Sequence, residues 1–467
     1  MNTPNTTLNI TDGSQDSMPN NESNRSNSAV NTTRIEPLVH PLDGAARVPG
    51  DKSISHRAIM FAAMAEGTSR LTGVLDSADV RSTIGAMSAL GAQVALERQV
   101  DGTLAGGVTG WGEKGPQQPD HPIDCGNSGT TARLLMGILA PWNIRAEITG
   151  DDSLRKRPMR RIIAPLMKMG ARFEPEVCET LPVTEIGNPD LKAITYDSPM
   201  ASAQLKTAVL LAGLGAQGET VINEPAISRN HTELMLPEFG VKAGMAFRRA
   251  SVEGPVVLQA SEVDVPGDPS SAAFLICATL LKPGSAIQIE NVSLNPGRVG
   301  FIRTLERMGA SIEVRYLTAE GKESIGIIEA AYTPELRGCE IPSQHIASEI
   351  DEIPVLALVA AHASGITVFR GVSELTKKES NRLDAIIEGL GMLGVNAWAE
   401  NDNLFIEGQP DLVVPEGLVF DSRKDHRLAM TWALVGLCSQ VGVDIIDFDC
   451  VKVSFPRFLD VLRGLAQ

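Results

Sequence analysis

Aromatic residues are scarce: Phe, Trp and Tyr make up 4% of a 467-residue chain that is 43% hydrophobic. Its cores must therefore be built from Leu, Ile, Val, Ala and Met, which suits layered α/β packing of small helices and short strands. No apolar run approaches the roughly 18 residues of a membrane span. Positive charge is in deficit too. The 41 Lys and Arg against 57 Asp and Glu leave a net charge of -16, a sign that excludes the basic face wanted by nucleic acid or an anionic membrane. It does not exclude a small anionic substrate, which needs only a few placed cations. Cysteine supplies no framework: Cys125, Cys178, Cys277, Cys339, Cys438 and Cys450 are scattered, with no CxxC pair and no His cluster beside them. They read as reduced thiols of a cytosolic protein, not as disulfides or zinc ligands. The first 34 residues are rich in Asn, Ser and Thr, lack an apolar signal core and carry Asp12, Asp16 and Glu22. The acids argue against a transit peptide, so residues 1–34 are expected to be a disordered tail.

What the chain does have is a repeat. A bulky apolar residue, a Gly and a short alternating run recur at LGAQV, MGARF, FGVKA, MGASI and LGVNA, with Gly91, Gly170, Gly240, Gly309 and Gly394 69 to 85 residues apart. Each ends an amphipathic stretch, as a Gly C-cap ends a helix, and a strand should follow. Upstream in each unit lies a stretch rich in Ala and Leu: AIMFAAMA, ARLLMGILA, LKTAVLLAGL, SAAFLICATLL, PVLALVAAHA and LAMTWALVGL. These six are apolar nearly all round and are expected to be buried helices. The fold class is therefore α/β, six strand-helix-strand-helix-strand-strand repeats, the last closing at LDVLRGLAQ.

A plain repeat scaffold needs no chemistry, but the starts of these helices are polar in phase: GDKSISHR, GNSGTTAR, SPMASAQLK, GDPSSAA, EIDEIP and KDHR. A helix N-terminus has unpaired N–H groups and a partial positive charge, so it takes anions readily. One such cluster is an ordinary cap. Six in phase, four with Lys or Arg, point to a phosphate or carboxylate site. DDSLRKRPMRR (151–161) and TKKESNR (376–382) add charge; either could be a solvated face, but one guanidinium turned inward from the first would make a planar fork for an oxyanion.

The motifs PGDKSISHRA, GNSGTTARL, RPM, SAQLK, RNHTE, IDEIP, KES-x-R, DHR and SFPRF stand in one order along residues 36–467, and in this the chain closely resembles the 5-enolpyruvylshikimate-3-phosphate (EPSP) synthases. The resemblance implies a two-domain enolpyruvyl transferase fold with three repeats per domain: residues 35–50 plus 267–467 in one, 51–266 in the other, and the active site in the cleft between them. It implies transfer of the enolpyruvyl group of phosphoenolpyruvate to the 5-hydroxyl of 3-phosphoshikimate, with release of phosphate, on the shikimate pathway to chorismate and the aromatic amino acids. Lys52, Ser53, Arg57, Ser202, Ala203, Gln204, Arg229, Asp351 and Lys378 would hold the phosphoshikimate. Lys52, Gly129, Arg157, Gln204, Arg382 and Arg427 would surround phosphoenolpyruvate, whose two anionic groups suit guanidinium forks. Asp351 would be the base for the hydroxyl, with Lys52 and Glu379 candidates for the methylene proton and phosphate departure. Gly129 would leave room for glyphosate, the family's phosphonate inhibitor, in the phosphoenolpyruvate site.

Three positions depart from the family pattern. Val453 stands where one branch has a Lys, with Lys452 one residue away; Asn381 replaces a usual Asp; Ala203 replaces a Ser of one branch. His426 is expected to orient Asp425 or Arg427 and not to act as a base. No metal or organic cofactor, nucleic acid or membrane partner is implied, and a cytoplasmic monomer is expected. The rival readings are UDP-N-acetylglucosamine enolpyruvyl transferase, whose Lys-Asn pair is here Lys52-Ser53 and whose reactive-Cys loop has no match, and a non-catalytic anion-binding repeat protein.

Overall fold

The computed structural model describes residues 31–176, 179–318 and 322–467. The six apolar stretches are helices: Lys52–Met64, Gly129–Leu139, Ala203–Gly213, Pro269–Leu281, Ile353–Ala361 and His426–Cys438. All are buried along most of their length, as expected for helices with no polar face. Five are capped by the small polar residues read from the sequence. Side chains of Asp51, Ser128, Ser202, Asp268 and Asp425 each accept from a backbone N–H two or three residues on, satisfying donors the helix leaves unpaired. The sixth starts at Ile353 with a Pro in its first turn.

Each buried helix feeds a small sheet. In the second unit the strands Ile123–Asp124, Arg145–Thr149, Val183–Ile186 and Arg172–Glu174 lie side by side in that order, the first pair parallel and the rest antiparallel. The third and fifth units repeat the pattern. In the first and fourth units the leading strand is exchanged: Glu262–Asp264 pairs with Thr68–Val74, while Asp43–Ala46 pairs with Ala286–Ser293. The five repeat glycines all sit at positive φ, between 78° and 116°, where an L side chain is strained. The second helix of the third unit is shorter than the pattern implies. His231–Met235 gives way to a 3₁₀ turn, Leu236–Phe239, because Pro237 has no N–H to continue the helix.

The sixth unit has only two strands of its own, Val419–Asp421 and Val443–Ile446, and takes a third from Thr32–Ile35. This corrects the expected tail boundary at residue 34. Ile35 is fully buried and Arg34 pairs with Asp444 at 3.2 Å, so the β-branched run Thr32-Thr33 serves as an edge strand, an alternation hidden by the polar composition around it. Residues 1–30 of that expected tail, and Cys178, lie outside the described residues. The other five cysteines are free thiols. Among the described residues no helix is long and apolar enough to cross a membrane.

Buried apolar side chains fall into two cores. One draws on Ile35–Val48 and Ala272–Ala466, the other on Ile54–Val265. The two chain segments passing between them are bonded to each other, Asp51 N to Pro266 O at 2.7 Å and Asp268 N to Pro49 O at 2.8 Å. Arg298, 2% exposed, clamps both: Nη1 donates to Asp51 Oδ2 at 2.7 Å, Nη2 to Asp268 Oδ1 at 2.8 Å and to Ser270 Oγ at 3.0 Å. Removing one partner of a buried pair leaves uncompensated charge at a cost of about 3–5 kcal/mol. Arg298→Met should therefore lower unfolding free energy by that order in urea titration; a loss within experimental error would show that the clamp carries no stability.

Candidate active site

The polar clusters at the helix starts form two groups of different electrostatic character, one of cations unpaired among the described residues and one of cations paired with carboxylates. The first surrounds the Gly129–Leu139 helix start. Arg133, one turn on from Gly129 and 6% exposed, donates from Nη1 to Gln204 Oε1 at 2.7 Å, and Gln204 Nε2 donates to Thr130 Oγ1 at 3.0 Å. Arg157 donates to Asn127 Oδ1 at 2.6 Å. Arg161 stands close enough for its charge to act on Arg133. Among the described residues none of these three guanidinium groups is in an ion pair; their partners are amide, hydroxyl, carbonyl and thioether atoms. Burial, then the like charges of Arg161 and Arg157, push Arg133 down to about 9. A half-buried cluster of like charges beside a helix N-terminus can hold an anion. Two arginines of the 155–161 run point inward, Arg157 and Arg161, where one was expected.

The second group is centred on Asp351. Arg229 Nη2 donates to its Oδ2 at 2.7 Å, Lys378 Nζ and Arg382 Nη1 to its Oδ1 at 3.1 and 3.3 Å, and Arg427 Nη2 lies 4.0 Å away. Burial opposes the carboxylate, but Lys378, Arg427, Arg229 and Arg382 outweigh it and hold Asp351 well below the usual carboxylate range. Arg382, 1% exposed, also donates to Glu379 at 2.7 Å and to Asp425 at 2.7 Å. Against the pull of burial, its charge keeps Glu379 ionised at low pH. Arg427 donates to Glu352 Oε1 at 3.3 Å and to Asp351 O at 3.1 Å.

The remaining expected residues line the edges. Lys52 pairs with Asp79 through Nζ, and its backbone N–H reaches Asp268 Oδ2 at 3.2 Å. Ser202 caps the helix that begins at Ala203, which places Gln204 beside the first group. Arg57 turns inward: it is 3% exposed, donating to Thr232 Oγ1, Thr207 Oγ1 and Ser53 O at 2.8, 2.8 and 2.9 Å. The structure thus brings Arg229, Asp351, Lys378, Glu379, Arg382 and Arg427 together, and Gly129, Arg157 and Gln204 together. Ser53 and Arg57 make none of the bonds of either group. Lys452 pairs with Asp449 at 2.6 Å and is 68% exposed, so it does not stand in for the family Lys. His426 is buried, and that burial and the Arg427 charge push it down to about 4, leaving it neutral at pH 7.

Arg133, Arg161, Asp79, Glu352 and Arg298 were not singled out from the sequence. The first two lie in quoted basic clusters, and the i, i+4 spacing from Gly129 to Arg133 puts both on one helix face. Glu352 lies in the quoted cluster EIDEIP beside Asp351, whereas Asp79 and Arg298 carry no local signal.

Two cores of three α/β units, with cations at converging helix starts, define an enolpyruvyl-transferase architecture. The enolpyruvyl transferase NikO from Streptomyces tendae shares the fold at 18% identity, TM-score 0.73, over 92% of this chain and 96% of that one. The chain belongs to the EPSP synthase (3-phosphoshikimate 1-carboxyvinyltransferase) family, whose model matches residues 38–462. It is 42% identical over 430 residues to the 3-phosphoshikimate 1-carboxyvinyltransferase of Chelativorans sp. (strain BNC1), 91% of this chain and 94% of that protein. The same named protein of Bacillus anthracis is 43% identical, with 93% and 99% covered. The EPSP synthase structure from Acinetobacter baumannii superposes with TM-score 0.83 at 38% identity over 93% of this chain and 98% of that one. This membership does not favour the UDP-N-acetylglucosamine reading.

A Cβ on Gly129 would lie 3.1 Å from Arg133 Nη1 and 3.4 Å from Arg157 Nη1. It would press on both guanidinium groups. In Gly129→Ala the glyphosate inhibition constant should rise by a larger factor than the Michaelis constant for phosphoenolpyruvate, as steady-state kinetics will read. Equal increases would mean that the Cβ shifts the pocket as a whole without shortening it.

Proposed function

We propose that this protein transfers the enolpyruvyl group of phosphoenolpyruvate to the 5-hydroxyl of 3-phosphoshikimate and releases phosphate. The observation that carries this reading is the pairing of a cation-only pocket at Gly129, Arg133 and Arg157 with a carboxylate, Asp351, ringed by four cations. Two polyanionic substrates must be held side by side, and most of the binding free energy must come from placed positive charge. Gly129, Arg157, Arg382 and Arg427 are assigned to phosphoenolpyruvate. Ser53, Arg57, Ser202, Ala203, Arg229, Asp351 and Lys378 are assigned to phosphoshikimate, and Lys52 and Gln204 to both.

The chemistry then follows from the charges. In the empty site Asp351 is too strongly stabilised to be a good base. Substrate phosphate and carboxylate groups would draw Arg229, Arg382 and Arg427 to themselves. Relieved of that field, Asp351 becomes more basic as the hydroxyl arrives. It takes the hydroxyl proton as the oxygen attacks C2 of phosphoenolpyruvate, while Lys52 or Glu379 delivers a proton to the methylene carbon. In the tetrahedral intermediate the methyl group returns a proton, the double bond re-forms and the C–O bond to phosphate breaks. Lys52, paired with Asp79, is assigned the neutralisation of the departing phosphate. We assign the two cores to domains of residues 32–50 plus 267–467 and 51–266, the first extended by the Thr32–Ile35 strand, and read the protein as a cytoplasmic monomer.

The direct test is phosphate release with phosphoenolpyruvate and either 3-phosphoshikimate or UDP-N-acetylglucosamine. Release with the first acceptor alone is expected; release with neither would leave a binding protein. Arg427→Ala removes the partner of the buried Glu352 as well as a donor-site cation, a change of order 3–5 kcal/mol for buried pairs. Calorimetry should find phosphoenolpyruvate affinity weakened far more than phosphoshikimate affinity, and equal losses would overturn the assignment of Arg427.

A further inference from the structure

In the motif RNHTE, Arg229 reaches Asp351 of the other core. Its next two residues also cross from one core to the other. Asn230 Oδ1 accepts from Asn295 Nδ2 at 2.9 Å, and His231 Nδ1 lies 3.0 Å from Glu323 Oε2. A carboxylate only accepts, so Nδ1 carries the proton. His231 is 1% exposed and Asn295 likewise 1%. The receiving side is held firmly: Glu323 Oε1 accepts from Ser293 Oγ at 3.0 Å, its Oε2 also from Asn295 Nδ2 at 3.4 Å, and Asn295 Oδ1 accepts from Gly297 N at 2.9 Å. Three consecutive residues of one core therefore dock on Asp351, Asn295 and Glu323 of the other.

These contacts differ in what substrate does to them. The Arg229–Asp351 pair must break if Arg229 is to meet a phosphate and Asp351 a hydroxyl. The contacts of Asn230 and His231 involve no group assigned to either substrate. We infer that Asn230 and His231 are positioning residues: their clasp on Asn295 and Glu323 fixes the register of the two domains while Arg229 and Asp351 change partners. This rests on the assignment of Arg229 to phosphoshikimate. The field of His231 and the hydrogen bonds from Ser293 and Asn295 keep Glu323 ionised against the cost of its burial, so the clasp is charged on at least one side. The clasp also stands beside the chain crossing, since His231 and Glu323 both act electrostatically on Asp51.

The test uses the full-length enzyme with His231→Gln, Glu323→Gln and the double variant. Coupled contacts of this kind correspond to roughly tenfold effects. Each single change should lower kcat by about that factor with the KM for phosphoenolpyruvate little changed, and the double should be no worse than the worse single, as for one shared contact. Small-angle scattering, which needs no turnover, should show a larger radius of gyration than wild type both ligand-free and with both substrates. Unchanged kcat and radius of gyration, or kcat losses that multiply, would overturn the clasp. If His231→Gln does not fold, Glu323→Gln decides alone by the same two readouts. A wild type that releases no phosphate would instead refute the function, and scattering would still judge the clasp.

Discussion

One buried guanidinium sits where everything else in this molecule has to agree. Arg298 is bonded to Asp51 and Asp268, the caps of the first buried helix in each half, and to Ser270. Asp51 precedes Lys52; Ser270 Oγ bonds Glu352, which in turn accepts from Arg427. A single side chain thus ties the two chain crossings to cations on both sides of the cleft. Its cost is high, because an arginine and two aspartates leave water, and the geometry must be near ideal to offset it. What the arrangement supplies is register at the two chain crossings, alongside the contacts that Arg229, Asn230 and His231 make with the other core.

The site divides its charge unequally, and the division has chemical consequences. Around Gly129 the arginines face only neutral acceptors, so the pocket holds unspent positive charge. Around Asp351 the four cations are already paired with Asp351, Glu379, Asp425 and Glu352. An anion entering the first pocket relieves repulsion, whereas one entering the second must compete with internal carboxylates. On the proposed assignment of Asp351 as base, that competition would convert substrate binding into a change in its basicity, weak in the empty site and stronger in the occupied one.

Much of the architecture was legible in the chain because its signals are local. Periodic Ala- and Leu-rich runs mark helices that must be buried, glycines at regular spacing mark their partners' C-caps, and capping residues mark where N–H groups point. Each depends only on neighbours within a turn or two. Of the site, the residues in motifs at helix starts were readable for the same reason, and Arg133 was readable in principle from its spacing to Gly129. Where local reading failed, long-range contact was the cause. Thr32–Ile35 looks like part of a polar tail until Val443–Ile446 arrives to pair with it; Pro237, which cut short a helix that amphipathicity alone extended, was by contrast a local signal.

By itself, then, the sequence determined the repeat, the buried helices, the anion-binding ends and the family. Only tertiary structure decided which cations are balanced by carboxylates and which are not. The four partners of Asp351 come from residues 229 to 427, the Arg298 clamp spans residues 51 to 298, and the contact of His231 with Glu323 joins two cores. Charge balance depends on distances of a few ångströms in a medium where burial raises every electrostatic stake, and such distances between remote segments exist only once the chain has folded.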